Sequence, residues 1–560
     1  MKSKFILILI IILAFGLRFW KLDSYPAFNA DEAALGYNAY SLIQTGTDEH
    51  GNSWPIHFQS FNDFKPGGYV YLILPFVKVF GLNEWSVRFP NALLGVASVY
   101  VLYLLIIQMF NGQKLMVKKN NIIINHQSLA IIASSMLAIS PWHIHFSRGG
   151  WEVNTATFFI LSGVYLFLKF IETKSFKILS FSFLSFSISI YTYHSARLIV
   201  PLLGMGLLII YWKELNIFNN LKKYLIYFFL LILFLSPLIY DLTKGSVGSR
   251  VAGVGLFADP GPISRIEEQR TEQGDFTGLP AKILHNKLVN YGLAFLENWG
   301  EHYHGLFLFL SGDDIQRNKV PETGQMYLYD LIFILVGFVI ILKSLIINHK
   351  PLTLILYWLI VAPMAAALTF QSPHALRAQN MVIPLVIISA VGLLRIIKWL
   401  MIKSQLLRNI GFILIGVLIF WSFLRYSHTY WVHMSKEYPY SSQYGVKELV
   451  TYLDENNRTY KDIIITDRYD QPYILYLFYT KYDPAKFQME HTLTAKDGYG
   501  FSTVRDFSNL HFYSVKFEEM RTEYPNSLII GTPEEIPDEG NIIKRIYGSN
   551  GYEYFDVVAN

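Results

Sequence analysis

Eleven stretches of the chain are almost wholly apolar. They lie near residues 4–20, 87–109, 127–141, 153–170, 178–193, 196–212, 224–240, 327–347, 352–370, 380–400 and 409–425. Runs that approach 20 apolar residues predict membrane-spanning helices. Lys2 and Lys4 precede the first run as they would in a signal peptide, but no small-x-small cleavage site follows. Arg18-Phe19-Trp20-Lys21 instead has the composition of an interfacial anchor, so the run is read as a span. Three polar stretches interrupt the pattern, at about 21–86, 241–326 and 426–560. In the last, a helical pattern over Tyr444–Glu455 precedes a strand at Asp462–Thr466, a helix at Gln471–Tyr479 and a strand at Ser527–Gly531. That alternation predicts a small α/β domain. The expected architecture is therefore mainly α: a polytopic membrane bundle over 1–425, followed by an extracytoplasmic domain over 426–560.

Composition and charge sharpen this picture. The 560 residues are 52% hydrophobic and 16% charged, with a mean hydropathy of +0.31. Soluble domains carry about 25% charged residues. Disordered and fibrous classes are excluded. The absence of cysteine removes disulfides, thiol catalysis and thiolate metal sites. With the N-terminus inside, every inside loop is basic: Lys114, Lys118 and Lys119; Lys174 and Lys177; Lys213, Lys222 and Lys223; Lys343 and Lys350; Arg395, Lys398, Lys403 and Arg408. Eleven spans then place the C-terminal domain outside the cytoplasm. Arg425–Asn560 holds 14 Lys+Arg against 20 Asp+Glu, a net −6 within a total of +5. No soluble segment carries a basic stripe, so nucleic acid is not an expected partner.

The first outside loop is too polar to span and too patterned to be disordered. Asn29-Ala30-Asp31-Glu32 has the form of a capping box, with Asn29 as N-cap and Glu32 three positions on. Leu35, Ala39, Leu42 and Ile43 follow at helical spacing, and Gly46 stops the helix. A second helix is predicted over Tyr69–Phe80, ending at Gly81. Both are expected to be amphipathic and to lie on the membrane surface. Acids at a helix start are usually there because the dipole favours them. Here the pair follows the first span at the depth of a lipid headgroup, and Lys65 stands in the same loop.

Several ordered motifs carry a family resemblance: Arg18-Phe19-Trp20-Lys21-Leu22, Phe28-Asn29-Ala30-Asp31-Glu32-Ala33, Lys65-Pro66-Gly67-Gly68-Tyr69, and the run Phe80-Gly81-Leu82-Asn83-Glu84-Trp85-Ser86-Val87-Arg88-Phe89-Pro90. They resemble the GT-C membrane glycosyltransferases, nearest to the protein O-mannosyltransferase and lipid A aminoarabinose transferase group. The resemblance covers about 1–210 well, 300–425 weakly and the C-terminal domain hardly at all. It implies a polyprenyl-phosphate-linked sugar as donor, a hexose such as mannose or an aminopentose. The acceptor is a hydroxyl on a protein, lipid or glycan at the outer membrane face, and transfer is inverting. Asp31 matches the family's catalytic Asp and Glu32 its neighbour. Lys65 matches the Lys that contacts the donor phosphate. Arg148 and Glu152, in the turn after Pro141, match an Arg followed by an acid; the aminoarabinose transferases have Asp at the place of Glu152. Asp313 and Arg317 lie in Gly312-Asp313-Asp314-Ile315-Gln316-Arg317, which resembles a Gly-Asp…Arg stretch of bacterial relatives, and the two are expected to close the cavity.

The remaining outside ends add candidates. Arg197 follows Tyr191-Thr192-Tyr193-His194, and Arg377 ends Ser372-Pro373-His374-Ala375-Leu376-Arg377. Both face the side of the acids, and either can hold the lipid phosphate, with His374 beside Arg377. His143 and His145 form an HxH pair without a third ligand, and His302-Tyr303-His304 reads as a solvated loop. No cofactor is expected, a divalent metal is left open, and the chain has no P-loop or GxGxxG for a nucleotide. The competing class is a transporter or flippase of glycolipids. Such proteins place ionisable groups at mid-depth, whereas these spans are nearly uncharged there.

Overall fold

The computed structural model describes residues 2–61, 63–110, 125–243, 253–274, 276–345, 349–438, 443–456, 459–469, 471–495 and 502–560. Lys114, Lys118 and Lys119 of the first predicted inside loop, and Asn457 of the predicted outside domain, fall outside these residues. The chain separates into two compact units: Met1–Arg18, Leu94–Phe146 and Glu152–Ser427 form one; Phe19–Leu93, Ser147–Trp151 and His428–Asn560 form the other.

The first unit is helical, and each of the eleven apolar stretches coincides with a helix. Among the described residues, six helices are long and apolar enough to cross a membrane: Glu84–Phe110, Glu152–Thr173, Trp212–Thr243, Lys350–Ala367, Gln379–Met401 and Gln405–Glu437. A seventh crossing arises if His126–Ile139 and Pro141–Ser147, bent by 57°, are taken together. The other four stretches are the helices Lys2–Phe19, Phe176–Thr192, Ala196–Ile210 and Leu328–Leu345, of 15 to 18 residues each. The protein is thus a multi-pass membrane protein. Trp212–Thr243 and Gln405–Glu437 bury almost none of their apolar side chains against protein, the condition of helices solvated by lipid. Leu328–Leu345 and Val382–Met401 approach each other backbone to backbone. A Cβ on Gly392 would lie 1.8 Å from the Phe333 carbonyl oxygen, and one on Gly337 2.1 Å from that of Ile388. Small residues permit such contact where the hydrophobic effect between helices is weak.

The second unit carries a seven-stranded sheet. Its strands are β3 (Asp462–Thr466), β4 (Thr492–Leu493), β5 (Val504–Phe507), β6 (Leu510–Tyr513), β7 (Ser527–Gly531), β8 (Ile542–Tyr547) and β9 (Glu553–Ala559), in the order β4-β5-β6-β3-β7-β9-β8. β3 is central and parallel to both β6 and β7, and the other pairings are antiparallel. Its Ile463, Ile464 and Ile465 are all buried, because a parallel strand at the centre is covered on both faces. The expected strands at Asp462–Thr466 and Ser527–Gly531 form with those bounds, and the expected helices appear at Val446–Asn456 and Pro472–Thr480.

Residues 19–93 pack into this unit. One continuous core contains Phe28, Leu35, Tyr69 and Ile73 together with Leu449, Ile463, Leu475, Phe478 and Phe555. The helix Ala30–Thr45 starts and stops where its capping residues predict, with Gly46 at φ 75°. Its expected placement as an amphipathic surface helix is corrected. Eleven of its 16 residues are buried, because Ala33, Ala34, Gly36 and Ala39 let neighbours close in around it. A Cβ on Gly36 would lie 2.6 Å from the Phe478 ring and 2.7 Å from Val87. The helix Gly68–Phe80 keeps a one-sided stripe, with Tyr69, Val70, Ile73 and Val77 buried and Val79 and Phe80 exposed. Grouping by packing therefore differs from the sequence division at 425/426, since the early outside loop shares a core with the C-terminal strands.

Orientation is checked by labelling. The basic bias of the inside loops predicts that Lys222→Cys is protected from an impermeant maleimide in intact cells, while Glu322→Cys, whose parent side chain is exposed, is labelled. The cysteine-free background makes the readout clean. Labelling at 222 with protection at 322 overturns the topology.

Candidate active site

Consecutive helical residues point about 100° apart, so two adjacent acids at a helix start face different surroundings. Glu32 turns inward and is 1% exposed. Asp31 stays partly open, with 28% of its side chain exposed. The strand pair β1 (His57–Ser60) and β2 (Asp63–Pro66) sets Lys65 opposite Phe58. From there its Nζ donates to Asp31 Oδ1 at 2.5 Å, while lying 5.1 Å from the centre of the Phe61 ring. The expected base and the expected phosphate-binding cation are thus ion-paired with each other.

Glu32 has five donors around it. Arg88 contributes two, Nε to Oε1 and Nη2 to Oε2, both at 2.6 Å. The Gly150 N–H donates to Oε1 at 2.7 Å, and the N–H and side-chain amide of Asn29 donate to Oε2 at 3.3 and 3.2 Å. Arg88 in turn donates to the carbonyls of Leu22, Pro26 and Ala27. This bidentate pair ties the chain before the helix, the helix start and the Gly149-Gly150 turn together. Such a carboxylate holds a site in place and is poorly disposed to take up a substrate proton. Arg88 stands in the Phe80–Pro90 motif but was not singled out by sequence; its signal was an Arg flanked by apolar residues near a span, which needs a buried partner. Arg148 is fully buried as well. Its Nη2 donates to the carbonyls of Trp20 and Tyr25, its Nε to the Tyr430 hydroxyl at 3.0 Å, and its guanidinium stacks 4.6 Å from the Trp431 ring centre. These contacts make it a fastener for the polypeptide near Trp20. Tyr430 and Trp431 lie beyond the stretches from which sequence drew site residues.

The other candidates belong to the helical unit. Asp313 is buried, accepting from the N–H groups of Ile315 (2.9 Å) and Ala375 (2.6 Å) and from the Asn318 amide (3.1 Å). His374 Nδ1 is 3.6 Å from the same carboxylate. Burial raises the Asp313 carboxyl above its ordinary range. His302 is buried too, neither solvated nor a metal ligand: its Nδ1–H donates to the Asn298 carbonyl (2.7 Å) and its Nε2 accepts the His374 N–H (3.1 Å). Burial lowers this imidazole to about 4, so it is neutral. Arg377 donates to the Thr369 hydroxyl at 2.7 Å. Burial depresses its guanidinium, the charges of Tyr193 and Asp313 offset this, and that of Arg317 adds to it. Arg317 and Arg377 are therefore close enough for their like charges to be felt. Arg197 is bonded through Nη1 to His194 Nδ1 at 3.0 Å. Glu152 is the first residue of the helix Glu152–Thr173, a position favourable to an acid. His143 and His145 go to different partners, Arg18 and the Arg317 carbonyl. Among the described residues no group of three or more His, Asp or Glu side chains is placed to hold a metal ion.

No known protein family's sequence profile matches the chain, and no curated protein sequence does. Solved structures do. ArnT from Cupriavidus metallidurans bound to undecaprenyl phosphate superposes with a TM-score of 0.54 at 11% identity, over 99% of this chain and 97% of that one. Its apo form gives 0.55 at 10% identity, over 100% and 98%. This chain has the GT-C fold. The archaeal oligosaccharyltransferase AglB from Archaeoglobus fulgidus, in complex with an inhibitory peptide and a dolichol-phosphate, shares that fold, with a TM-score of 0.51 at 13% identity over 85% of this chain. This chain spans 63% of AglB's length. ArnT thus matches it end to end, C-terminal sheet unit included, whereas AglB extends well beyond it.

Proposed function

We propose that the protein is an inverting glycosyltransferase. It moves a sugar from a polyprenyl-phosphate donor to a hydroxyl acceptor, with Asp31 as general base and Lys65 as the cation for the leaving phosphate. The observation that carries this reading is the Asp31–Lys65 pair, held 2.5 Å apart by a capped helix start and a strand pair. Fold relatives bound to undecaprenyl phosphate and to dolichol-phosphate support the donor class. The sugar is a hexose or an aminopentose.

The pair also suggests an order of events. A carboxylate that shares its charge with an ammonium is a weak base. A donor phosphate that draws Lys65 to itself leaves Asp31 free. The acceptor oxygen then attacks the anomeric carbon as its proton passes to Asp31. The anomeric carbon–oxygen bond to phosphate breaks, and the bonding pair leaves with the polyprenyl phosphate, whose charge faces Lys65. Glu32 and Arg148, in this scheme, hold the backbone and touch no substrate. Arg317 and Arg377, whose like charges are felt by one another, are suited to an anion, and the basic bias of the inside loops supports the outer membrane face for these groups.

Lys65→Ala tests the reading. Transfer from an undecaprenyl-phosphate-linked sugar is expected to fall roughly 10²–10³-fold in kcat, with a higher donor KM. Normal donor KM and turnover in the purified variant would remove Lys65 from the site and the proposal with it.

A further inference from the structure

The second polar stretch, 241–326, carries apolar side chains that its own fold leaves uncovered. Leu279, Ile283 and Leu284 belong to the helix Leu279–Leu284, and Leu288, Leu293 and Leu296 to the helix Lys287–Glu301. All six are more than half exposed, Leu288 at 85%. A patch of this kind marks a surface that meets something apolar. At about 100° per residue, Leu288, Leu293 and Leu296 share about 140° of arc on the longer helix. Gly292 and Trp299 fall inside that arc, and Glu297 and Glu301, both exposed, stand along its edge. Asn290 and Tyr291 turn the other way and are buried, the Tyr291 hydroxyl donating to the Asp259 carbonyl at 3.3 Å. The neighbouring helix Gly261–Glu272 is polar by contrast. It carries an exposed Arg265–Glu268 pair and is tied down by Arg270 Nε, which donates to the His285 carbonyl at 2.8 Å. One side of the segment suits water and another does not.

Contacts with a membrane-crossing helix give the depth of Lys287–Glu301. Trp299 Nε1 donates to the Ile360 carbonyl at 3.0 Å, and the Tyr303 hydroxyl to the Leu359 carbonyl at 2.9 Å. Both acceptors belong to Lys350–Ala367, where Ile360 stands seven positions before the end at Ala367. At 1.5 Å per residue that is roughly 10 Å into the layer the helix crosses. Asn298, one residue earlier, donates to the carbonyls of Ala367 at 3.3 Å and Thr369 at 3.0 Å. Adjacent residues thus touch the rim of the span and a level below it. The C-terminal half of Lys287–Glu301 therefore lies where headgroups give way to acyl chains, the level at which Trp and Tyr gather.

We propose that the segment 279–301 docks into the bilayer leaflet on the Ala367 side, which the basic loops make the outer one. Leu288, Leu293 and Leu296 lie among the acyl chains, and Glu297 and Glu301 lie at the headgroups. Interfacial helices sink an apolar face about 5–10 Å in this way. Lipid is the occupant because the apolar arc continues the surface of a span whose Ile360 is itself exposed, and because Lys282 and Lys287, both exposed, stand beside it to meet anionic headgroups. The same helix holds the turn that carries Arg377. Ser372 Oγ donates to the Asn298 carbonyl at 2.9 Å, and the His374 N–H donates to His302 at 3.1 Å. Arg377 itself donates to the hydroxyl of Thr369, whose carbonyl Asn298 holds. Docking of the segment thus sets the depth of that turn in the membrane.

The test uses the full chain in phosphatidylcholine nanodiscs. Leu288→Cys, Leu296→Cys and Glu301→Cys each receive one environment-sensitive fluorophore, in a chain with no cysteine of its own. At 288 and 296 the emission is expected to be shifted to the blue, quenched by a nitroxide on the lipid acyl chain and spared by aqueous iodide. At 301 iodide is expected to quench. Iodide reaching 288 and 296 as readily as 301 overturns the proposal, because the face is then in water. Quenching of 288 and 296 by neither agent also overturns it, because protein, a second copy or another chain, then covers the face. If the labelled variants do not fold, the native chain is irradiated in nanodiscs whose lipid carries an acyl-chain diazirine. Adducts are expected on the peptide that contains Leu288–Leu296. Their absence, while the lipid-facing helix Gln405–Glu437 is modified, overturns the proposal. None of these readouts uses a sugar donor, so a failure of the glycosyltransferase reading leaves the result intact.

Discussion

Asp31→Asn is expected to lower sugar transfer roughly 10²–10⁴-fold, the usual cost of losing a general base, while the donor stays bound. Asparagine keeps the size and the hydrogen-bonding oxygen, so the helix start is preserved, but it takes no proton from the acceptor. It also releases Lys65, whose ammonium now sits 2.5 Å from the carboxylate. Donor affinity should therefore be equal to that of the native protein or tighter. This separates it from Lys65→Ala, in which affinity and turnover fall together. If Asp31 is only an acid that favours a helix N-terminus, the change costs well under ~1 kcal/mol of stability and leaves turnover near normal. Steady-state transfer by folded, purified Asp31→Asn decides between the two, and near-normal turnover would put the base elsewhere, with Glu152 the next residue to examine.

Glu32→Gln is expected to act on the fold. Removing one partner from a buried ion pair typically costs about 3–5 kcal/mol, because the other charge is left uncompensated. Here the stranded charge is Arg88, fully buried beside a carboxylate with five donors. Part of the loss is offset by the Leu22, Pro26 and Ala27 carbonyls, which keep their bonds to Arg88. Thermal unfolding in detergent should show a large drop in Tm, with activity per folded molecule much closer to normal than in Asp31→Asn. A variant with the native Tm and no transfer would mean that Glu32 takes part in the chemistry after all.

Much of this arrangement was readable from local signals. Asn29, Glu32 and Gly46 bound a helix because caps depend on residues three or four apart, and the helix forms between them. The isoleucine run of β3 is equally local. The pairing of Asp31 with Lys65 was readable only as two family motifs in one loop; the distance between them is set by the strand pair. Least legible was the fate of the helix itself. Leu35, Ala39, Leu42 and Ile43 form one stripe; Gly36 lies at its edge beside Ile43 and Ala33 lies across the helix, and a polar/apolar pattern treats both small residues as neutral. Gly36 admits Phe478 and Val87, and Phe478 is more than 400 positions away by number, so no local periodicity announces it. The strands β4, β5 and β6 are two to four residues long, and β8 alternates exposed positions with half-buried ones, only Ile546 being buried, as an edge strand does. Short elements of this kind take their conformation from their neighbours.

The shared core of the early loop and the late strands has a consequence for how the protein is made. Phe28, Leu35, Tyr69 and Val87 emerge from the ribosome before most of the membrane helices, whereas their partners from Val446 to Val557 emerge after all of them. At translation rates of about 5–20 residues per second, the loop waits for on the order of a minute before its core can close. During that interval its apolar side chains need a temporary cover, supplied by the bilayer surface or by a chaperone on that side of the membrane. Biogenesis of this protein is thus gated by the residues from Val446 onward. A lesion near the C-terminus would betray itself first as an early loop cut by proteases, hundreds of residues upstream of the fault.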